Sequence, residues 1–512
     1  MNNSIFRSWF PNHLKLTVLL SISIFFSLCS GIPNSIYSYI ISDQSANSSD
    51  LSMAMFAYCT GMVCSIPLIF RLTLFLPKKR LIIFCILLLI SINGILSINQ
   101  APLINVMMMF IFGCVKIIVT MAMITELMPY LMPKGERYQM YAIYYPMNLI
   151  LPIIGGLISI FLAKEYYWEL GYHFQNLMLF ISLLFVTIFF KTQHIKSIPL
   201  FQYDWLGTIL LAASLLCFSF VASYGLQNNW MYSRSILIAI VLCIIFFTIF
   251  FNRNYNKKRK IISFSVIWNK GTFLTLLTIF ILGIFYANSS LLSNLMNTIL
   301  PSSPVKQAEI NAYIIIGYLI GAIVVYLYFK RTKKCKLIFL ISAFLYLSSN
   351  IILFTLIDPR TPVEYLILPI ILRGMAVMIS FIATAVYLAA NVPTKIFLPS
   401  IVFFLLVRTF FVTVFWSAFI NNWFNKLQLI HQTRLAEIMT SNESINSTLL
   451  LSLKKQSSLL GLHDLYLYLT IFNLFVILII ALLPYHSSTQ RHIFNWGKKK
   501  NTKELIQATP IS

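Results

Sequence analysis

Long apolar stretches recur fourteen times along this 512-residue sequence, and they constrain its fold more than any motif does. Each is about 20 residues long, the length that an α-helix needs to cross the hydrocarbon core of a bilayer. The chain is 59% hydrophobic and 10% charged, whereas soluble domains carry about 25% charged residues. The sequence therefore predicts an all-α polytopic membrane protein. Its spanning helices are predicted near residues 14–38, 51–76, 80–98, 102–131, 139–162, 173–191, 205–225, 233–252, 271–293, 309–329, 335–356, 363–389, 397–421 and 464–484.

The basic residues alternate from one connection to the next. Lys78, Lys79 and Arg80 follow the second stretch and Arg137 follows the fourth, whereas the short connections between them carry few basic residues. Lys and Arg concentrate in the cytoplasmic loops of membrane proteins, so both termini are predicted to be cytoplasmic. The net charge of +24 is then a topology signal, and no nucleic-acid partner is predicted. The long connection 422–463, on the other side, is predicted to form short helices lying on the membrane.

The sequence contains no pattern typical of a metal, cofactor or catalytic site. Its eight cysteines form no C-x-x-C pair, and its seven histidines are scattered. It also lacks the glycine-rich phosphate loop of ATP-driven pumps. We therefore expect no cofactor and no metal, and a multispan enzyme is disfavoured because acids and histidines do not cluster near an interface.

The order of elements suggests an internal repeat. The apolar stretch ending at Phe75 and the one ending at Phe329 are each followed by a basic cluster, and Gly113 lies near the position equivalent to Gly374. Helices 1–6 then correspond to helices 9–14. The predicted domains are an N-terminal six-helix bundle (1–191), a linker with two inserted helices (192–262), a C-terminal six-helix bundle (263–484) and a basic cytoplasmic tail (485–512). Transporters built from such repeats bind substrate between the halves, near the midplane.

Short motifs in helices 5 and 7 carry a resemblance to a known family. Pro152, Gly155 and Gly156 match the core of an antiporter motif, and a P-x-x-x-R turn from Pro133 to Arg137 precedes them. The segment 203–207, Tyr-Asp-Trp-Leu-Gly, is similar to the start of helix 7 in the same family. With its fourteen spans, the chain resembles the fourteen-span drug/proton antiporter branch of the major facilitator superfamily.

The resemblance implies a function and a set of partners. It implies secondary active export of small, drug-like organic molecules, coupled to inward proton flow by alternating access in the bacterial inner membrane. A periplasmic adaptor and an outer-membrane channel are candidate partners. Pro152 and the two glycines would form a hinge, and the cytoplasmic loops would gate the cavity through Lys78, Lys79, Arg80 and Arg137. The loop at 67–80 departs from the family, because Phe70, Leu74 and Pro77 replace its Gly, Asp and Gly.

Charged residues inside the predicted helices are the remaining candidates, because a charge in a bilayer is costly and usually functional. Lys116, Arg373 and Arg408 are candidates for the substrate cavity, and their shared sign favours an organic anion. Glu126 is the only acid well inside a predicted helix and is the candidate for proton coupling. A purely structural role stays open for each of the four. A specific metabolite carrier of the same fold and a lipid or glycolipid flippase stay open as alternative functions.

Overall fold

A computed structural model describes residues 5–485, except for 37–38, 41–42, 44–46, 100, 133–135, 193–202, 258–259, 301–302, 333 and 439–446. Pro133 and the tail from residue 486 onward lie outside the described residues. Within them, fourteen helices are long and apolar enough to cross a membrane, which confirms the predicted number. They are α1 (Lys15–Leu28), α2 (Ser48–Phe75), α3 (Lys78–Ile98), α4 (Pro102–Leu131), α5 (Arg137–Glu165), α6 (Glu169–Phe189), α7 (Trp205–Tyr224), α8 (Arg234–Asn256), α9 (Lys270–Ala287 and Ser289–Ile299), α10 (Pro304–Ala312 and Ile314–Arg331), α11 (Cys335–Leu356), α12 (Ile367–Asn391), α13 (Thr394–Leu406, Val407–Phe415 and Trp416–Ile438) and α14 (Ser447–Leu482).

The two six-helix bundles, α1–α6 and α9–α14, repeat one packing device. In the first bundle α2 and α4 cross at Gly61 and Gly113, where an added Cβ on either glycine would lie 2.1 Å from a backbone oxygen of the other helix. In the second bundle α10 and α12 cross at Gly317 and Gly374 in the same way. Close backbone approach at small residues is a common way to pack helices in a bilayer. The equivalence of Gly113 and Gly374 is thus visible in the structure.

The inserted helices α7 and α8 pack against each other, and an ion-pair cluster links the start of α7 to the end of α8 at the end of the molecule that carries the basic loops. Asp204, directly before α7, accepts hydrogen bonds from the Nη2 atom of Arg253 at 2.9 Å and the Nζ atom of Lys257 at 2.8 Å. Burial raises the pKa of the Asp204 carboxyl, but the hydrogen bonds from Arg253 and Lys257 outweigh burial, so its pKa is lowered. The cluster therefore stabilises the pair while Asp204 is ionised.

The same pair is attached mainly to α2. The Oη atom of Tyr224 donates to the carboxylate of Asp50 at 2.5 Å, and Thr60 and Ser219 share a hydrogen bond of 3.3 Å. Towards the second bundle, by contrast, α7 offers the ring of Phe218, which packs against aromatic rings of α13. The inserted pair thus lies over the line where α2 meets α13.

Helices α13 and α14 extend well beyond the length needed to cross a bilayer. The 36 residues of α14 make a helix of about 54 Å, compared with a hydrocarbon core of about 30 Å. The prediction of short helices lying on the membrane at 422–463 is therefore wrong for the described part of that segment. Its polar residues continue α13 and begin α14, because the two helices stabilise each other by packing as an antiparallel pair. A stacked contact between Trp423 and Tyr468, with ring centroids 5.4 Å apart, holds them together.

Candidate functional site

A large cavity lies between the two bundles. Its volume is about 1970 Å³, and its walls come from α2, α4 and α5 on one side and from α9, α10, α12 and α13 on the other. Drug-sized binding sites usually measure about 300–1,000 Å³, so this cavity has room for a substrate and a path to it. Lys116, Arg137 and Arg408 bring positive charge into the wall, and no carboxylate is among the described residues that line it.

Arg408 lies between aromatic rings from the two bundles. Its guanidinium carbon is 4.4 Å from the ring centroid of Tyr145, in α5, and 4.2 Å from that of Phe381, in α12. Cation–π contacts of this kind are attractive, most strongly away from water. The residues Val407–Phe415 around Arg408 are π-helical, a local widening that is frequent at functional sites. Arg408 therefore presents a planar cation to the cavity, and the two aromatic rings fix its position.

Lys116 provides the second cation, from the first bundle. Its Nζ atom donates to the Oη atom of Tyr58 at 2.5 Å and lies 5.2 Å from the centroid of the same ring. Next to Tyr58, the Sγ atom of Cys59 accepts a hydrogen bond of 3.5 Å from Thr413, five residues beyond Arg408 on α13. The two cations therefore belong to one compartment whose walls come from both bundles.

Arg373 is placed differently from the sequence expectation. Its side chain is buried, its Nη2 atom donates to the backbone oxygen of Tyr286 at 2.9 Å, and it is not among the described residues that line the cavity. Tyr286 itself does line the cavity. Arg373 thus lies one layer behind the wall, where it fixes the backbone of α9.

Glu126 forms an ion pair with Lys78 near the basic end of α4. The exposed fractions of the two side chains are 17% and 25%, so the pair is half-buried. Thr125 beside it lines the end of the cavity, but Glu126 does not. The structure therefore gives the candidate coupling acid a basic partner at the edge of the site.

The helix-5 motif packs α5 against the end of α1. An added Cβ on Gly155 would lie 2.1 Å from the backbone oxygen of Leu28, and one on Gly31 would lie 1.9 Å from that of Pro152. Gly156 faces Ser35 at 3.0 Å. Helix α5 itself continues through Pro152, which also lines the cavity. The motif is thus a close helix contact directly behind the cavity wall.

The candidate gating residues divide into two groups. Lys78 and Lys79 act within the first bundle, because Lys78 pairs with Glu126 and Lys79 donates to the backbone oxygen of Phe190 at 2.7 Å. Arg80 is exposed.

Arg137 instead joins the two bundles at the basic end of the cavity. Its Nη1 atom donates to the backbone oxygen of Ala389 at 3.3 Å, and its guanidinium carbon lies 4.4 Å from the ring centroid of Phe397. Beside it, the ring of Tyr138 packs against those of Tyr326 and Phe329 in α10. These contacts bridge the two bundles at the end of the cavity where the basic loops lie.

Several of these contacts have no signal in the sequence. Tyr58, Tyr145 and Phe381 are three aromatic residues among many in a chain with 15% aromatic content. Only the packing of helices far apart in the sequence identifies them as partners of the two cations. Four amide residues of α13 also line the cavity, at the end away from the basic loops: Asn421, Asn425, Gln428 and Gln432. Their spacing of 3 or 4 residues is a sequence signal that could have identified them.

Comparison with known proteins identifies the family. A sequence profile of the Major Facilitator Superfamily matches residues 19–397, about three quarters of the chain. The chain belongs to the major facilitator superfamily. Among curated proteins it is similar to the colistin resistance protein EmrB of Acinetobacter baumannii, with 22% identity over 157 residues. That match spans 30% of this chain and 30% of the relative.

Solved structures agree with this assignment at the level of the fold. A crystal structure of the peptide transporter POT with sulfate has a TM-score of 0.60 at 12% identity, covering 93% of this chain and 96% of that one. A variant of the nucleoside transporter NupG has a TM-score of 0.56 at 14% identity, covering 91% and 99%. The chain therefore has the transporter fold of its superfamily, with two six-helix bundles and two inserted helices.

Proposed function

We propose that the protein exports small organic anions, including drug-like ones, in exchange for protons. The observation that carries this proposal is the cavity between the bundles, to which Lys116 and Arg408 bring positive charge from opposite sides. A substrate bound to both would touch both bundles, so its binding would be linked to their relative position. In transporters of two repeated halves, such linkage underlies alternating access.

The proposed coupling group is Glu126, with Lys78 as its partner. Protonation of the Glu126 carboxylate would remove the negative charge that pairs with Lys78. The contact between the start of α3 and the end of α4 would then weaken. The pair lies beside the basic end of the cavity, where Arg137 bridges the two bundles, so its protonation state can influence the opening of that end. Lys116 is the alternative coupling group, because its amine lies in the cavity wall and could release and take up a proton there. Its hydrogen bond to Tyr58 would then be the contact that changes.

Location and partners complete the proposal. We place the protein in a bacterial inner membrane, and the distribution of basic residues supports cytoplasmic termini and a cavity whose basic end faces the cytoplasm. The extended parts of α13 and α14 would then project outward from the inner membrane. They offer a surface for the periplasmic adaptor and outer-membrane channel that the sequence resemblance implies.

The test is transport in proteoliposomes. Purified protein would be reconstituted with an imposed pH gradient, and the uptake of fluorescein, an organic anion, compared with that of ethidium, a cation. We expect gradient-driven uptake of fluorescein that Glu126→Gln abolishes, whereas Glu165→Gln, at an exposed site at the end of α5, leaves it intact.

Each other outcome removes part of the proposal. Uptake that survives Glu126→Gln but fails in Lys116→Gln moves the coupling group to the cavity lysine. Preferential uptake of ethidium contradicts the anion assignment. Movement of neither dye, together with flipping of a labelled glycolipid, favours the flippase.

A further inference from the structure

The outer part of the cavity, away from the basic loops, is lined by amide side chains that the proposed function does not use. On α13 these are Asn421, Asn425, Gln428 and Gln432. Their spacings of 4, 3 and 4 residues follow from their numbers and place them on one helical face. Asn421 lies 13 positions beyond Arg408, which corresponds to about 20 Å along the helix.

Two further helices complete this amide-lined region. Ser293, Asn294 and Asn297 reach the cavity from α9, and Gln307 and Asn311 reach it from α10. Asn297 lies 3 and 4 positions beyond Asn294 and Ser293, and Asn311 lies 4 positions beyond Gln307, so each set again lies on one side of its helix. Three helices thus direct uncharged hydrogen-bonding groups into one space.

A polar lining that only contacts water at the mouth of the cavity could contain charged residues as well as amides. The same helices carry charged residues close by in the sequence, such as Lys426 on α13 and Lys306 and Glu309 on α10. None of these three lines the cavity. Charged side chains thus occupy the other faces, and uncharged amides occupy the cavity face.

The amides also have unused bonding capacity. The Oδ1 atom of Asn421 is buried and has no hydrogen-bond partner among the described residues. Among the described residues, the side chains of Asn425, Gln428 and Gln432 also have no hydrogen-bond partner. Side-chain amides that line a cavity and have no partner in the protein can form hydrogen bonds with a ligand that enters it.

The wall is also held in place from behind. At Gly461, α14 approaches α13 so closely that an added Cβ would lie 3.1 Å from the backbone nitrogen of Gln428. One turn further, His431 and Asp464 are joined by a hydrogen bond of 2.8 Å. A preorganised wall lowers the entropy cost of binding.

We propose that this region is a separate subsite that binds the hydroxyl groups of a sugar-containing organic anion, about 20 Å from Arg408 along the path of the substrate through the cavity. A side-chain amide offers two donors and an acceptor, and each hydroxyl of a sugar is both donor and acceptor. Several amides on successive turns therefore match a row of hydroxyls. This inference rests on the proposed function for the anionic group and adds the class of substrate.

The experiment measures binding by the full-length protein in detergent, by titration calorimetry. The probes are lactobionate, a disaccharide carboxylate, and 1-naphthalenesulfonate, an anion without hydroxyls. We expect lactobionate to bind more tightly. Asn421→Leu and Gln428→Met, which keep approximate size, should each weaken lactobionate binding about three- to tenfold, the usual effect of one lost hydrogen bond.

Controls separate this site from general effects on folding. Both variants should bind 1-naphthalenesulfonate as the wild type does, and Lys426→Met, on another face of α13, should leave both affinities unchanged. The inference is overturned if the wild type does not prefer lactobionate, or if the amide variants lose both probes equally. Gradient-driven export can fail while this preference persists, which would remove proton antiport and leave the sugar site.

Discussion

Replacement of Arg408 by methionine tests the anion site directly. Methionine keeps an unbranched stem between the rings of Tyr145 and Phe381, which lie 4.4 and 4.2 Å from the guanidinium carbon, but it removes the charge. A hydrogen bond to a charged group contributes about 1.5–3 kcal/mol, so the dissociation constant for an organic anion should rise roughly 10- to 150-fold. The two lost cation–π contacts, at about 0.5–2 kcal/mol each, should also loosen α13 from its neighbours.

The assay is fluorescence polarisation with fluorescein as the ligand and the purified full-length protein in detergent. Arg434→Met is the matched control, because Arg434 is exposed on the same helix and does not line the cavity. Ethidium serves as the ligand of opposite charge, and its affinity should not fall. If Arg408→Met binds fluorescein as tightly as the control variant does, the assignment of Arg408 to an anion site is refuted.

Three further predictions concern the supporting contacts. Gly155→Val should lower the stability of the protein in detergent by about 1–3 kcal/mol, because the added atoms meet the backbone of α1. Gly156→Ala should lower it less. Equal melting temperatures for the two variants would contradict the packing argument. Asp204→Asn should destabilise the α7–α8 pair by about 1–3 kcal/mol. Because the pKa of Asp204 is lowered on folding, its contribution is present above the unfolded pKa and disappears as the pH falls through the folded one; unfolding between pH 7 and pH 3 should show a smaller pH dependence in the variant. Tyr58→Phe removes the acceptor of Lys116 and should change the pH profile of transport while leaving the melting temperature within a few degrees, and an unchanged profile would show that this hydrogen bond does not tune the site.

The sequence predicts the spanning helices well because their signals are local. Apolar length and loop charge are read from adjacent residues, and the basic clusters that follow Phe75 and Phe329 reveal the repeat. The extension of α13 and α14 is missed because a polar helix outside the bilayer lacks a long apolar run. It forms because two such helices pack together, as at Trp423 and Tyr468.

The site is less predictable because it depends on contacts between distant segments. The rule that a charge inside a spanning helix is a site candidate selects Lys116 and Arg408, and the structure places both in the cavity wall. The same rule selects Arg373, yet that side chain points to the backbone of Tyr286. Whether a charged side chain of α12 faces the cavity depends on the rotation of the helix about its own axis. Packing against neighbouring helices sets that rotation, and the sequence of α12 alone does not give it.

The inserted helices have a consequence for leakage. Helix α7 is hydrogen-bonded to α2, because Tyr224 donates to Asp50 and Ser219 pairs with Thr60. Its aromatic contacts with α13 are those of the Phe218 ring. We expect the pair to travel with the first bundle while those aromatic faces slide past each other. Acyl chains would then be kept out of the junction between α2 and α13 throughout the cycle. A substrate inside the protein would then be unable to leave sideways into the surrounding lipid at this junction.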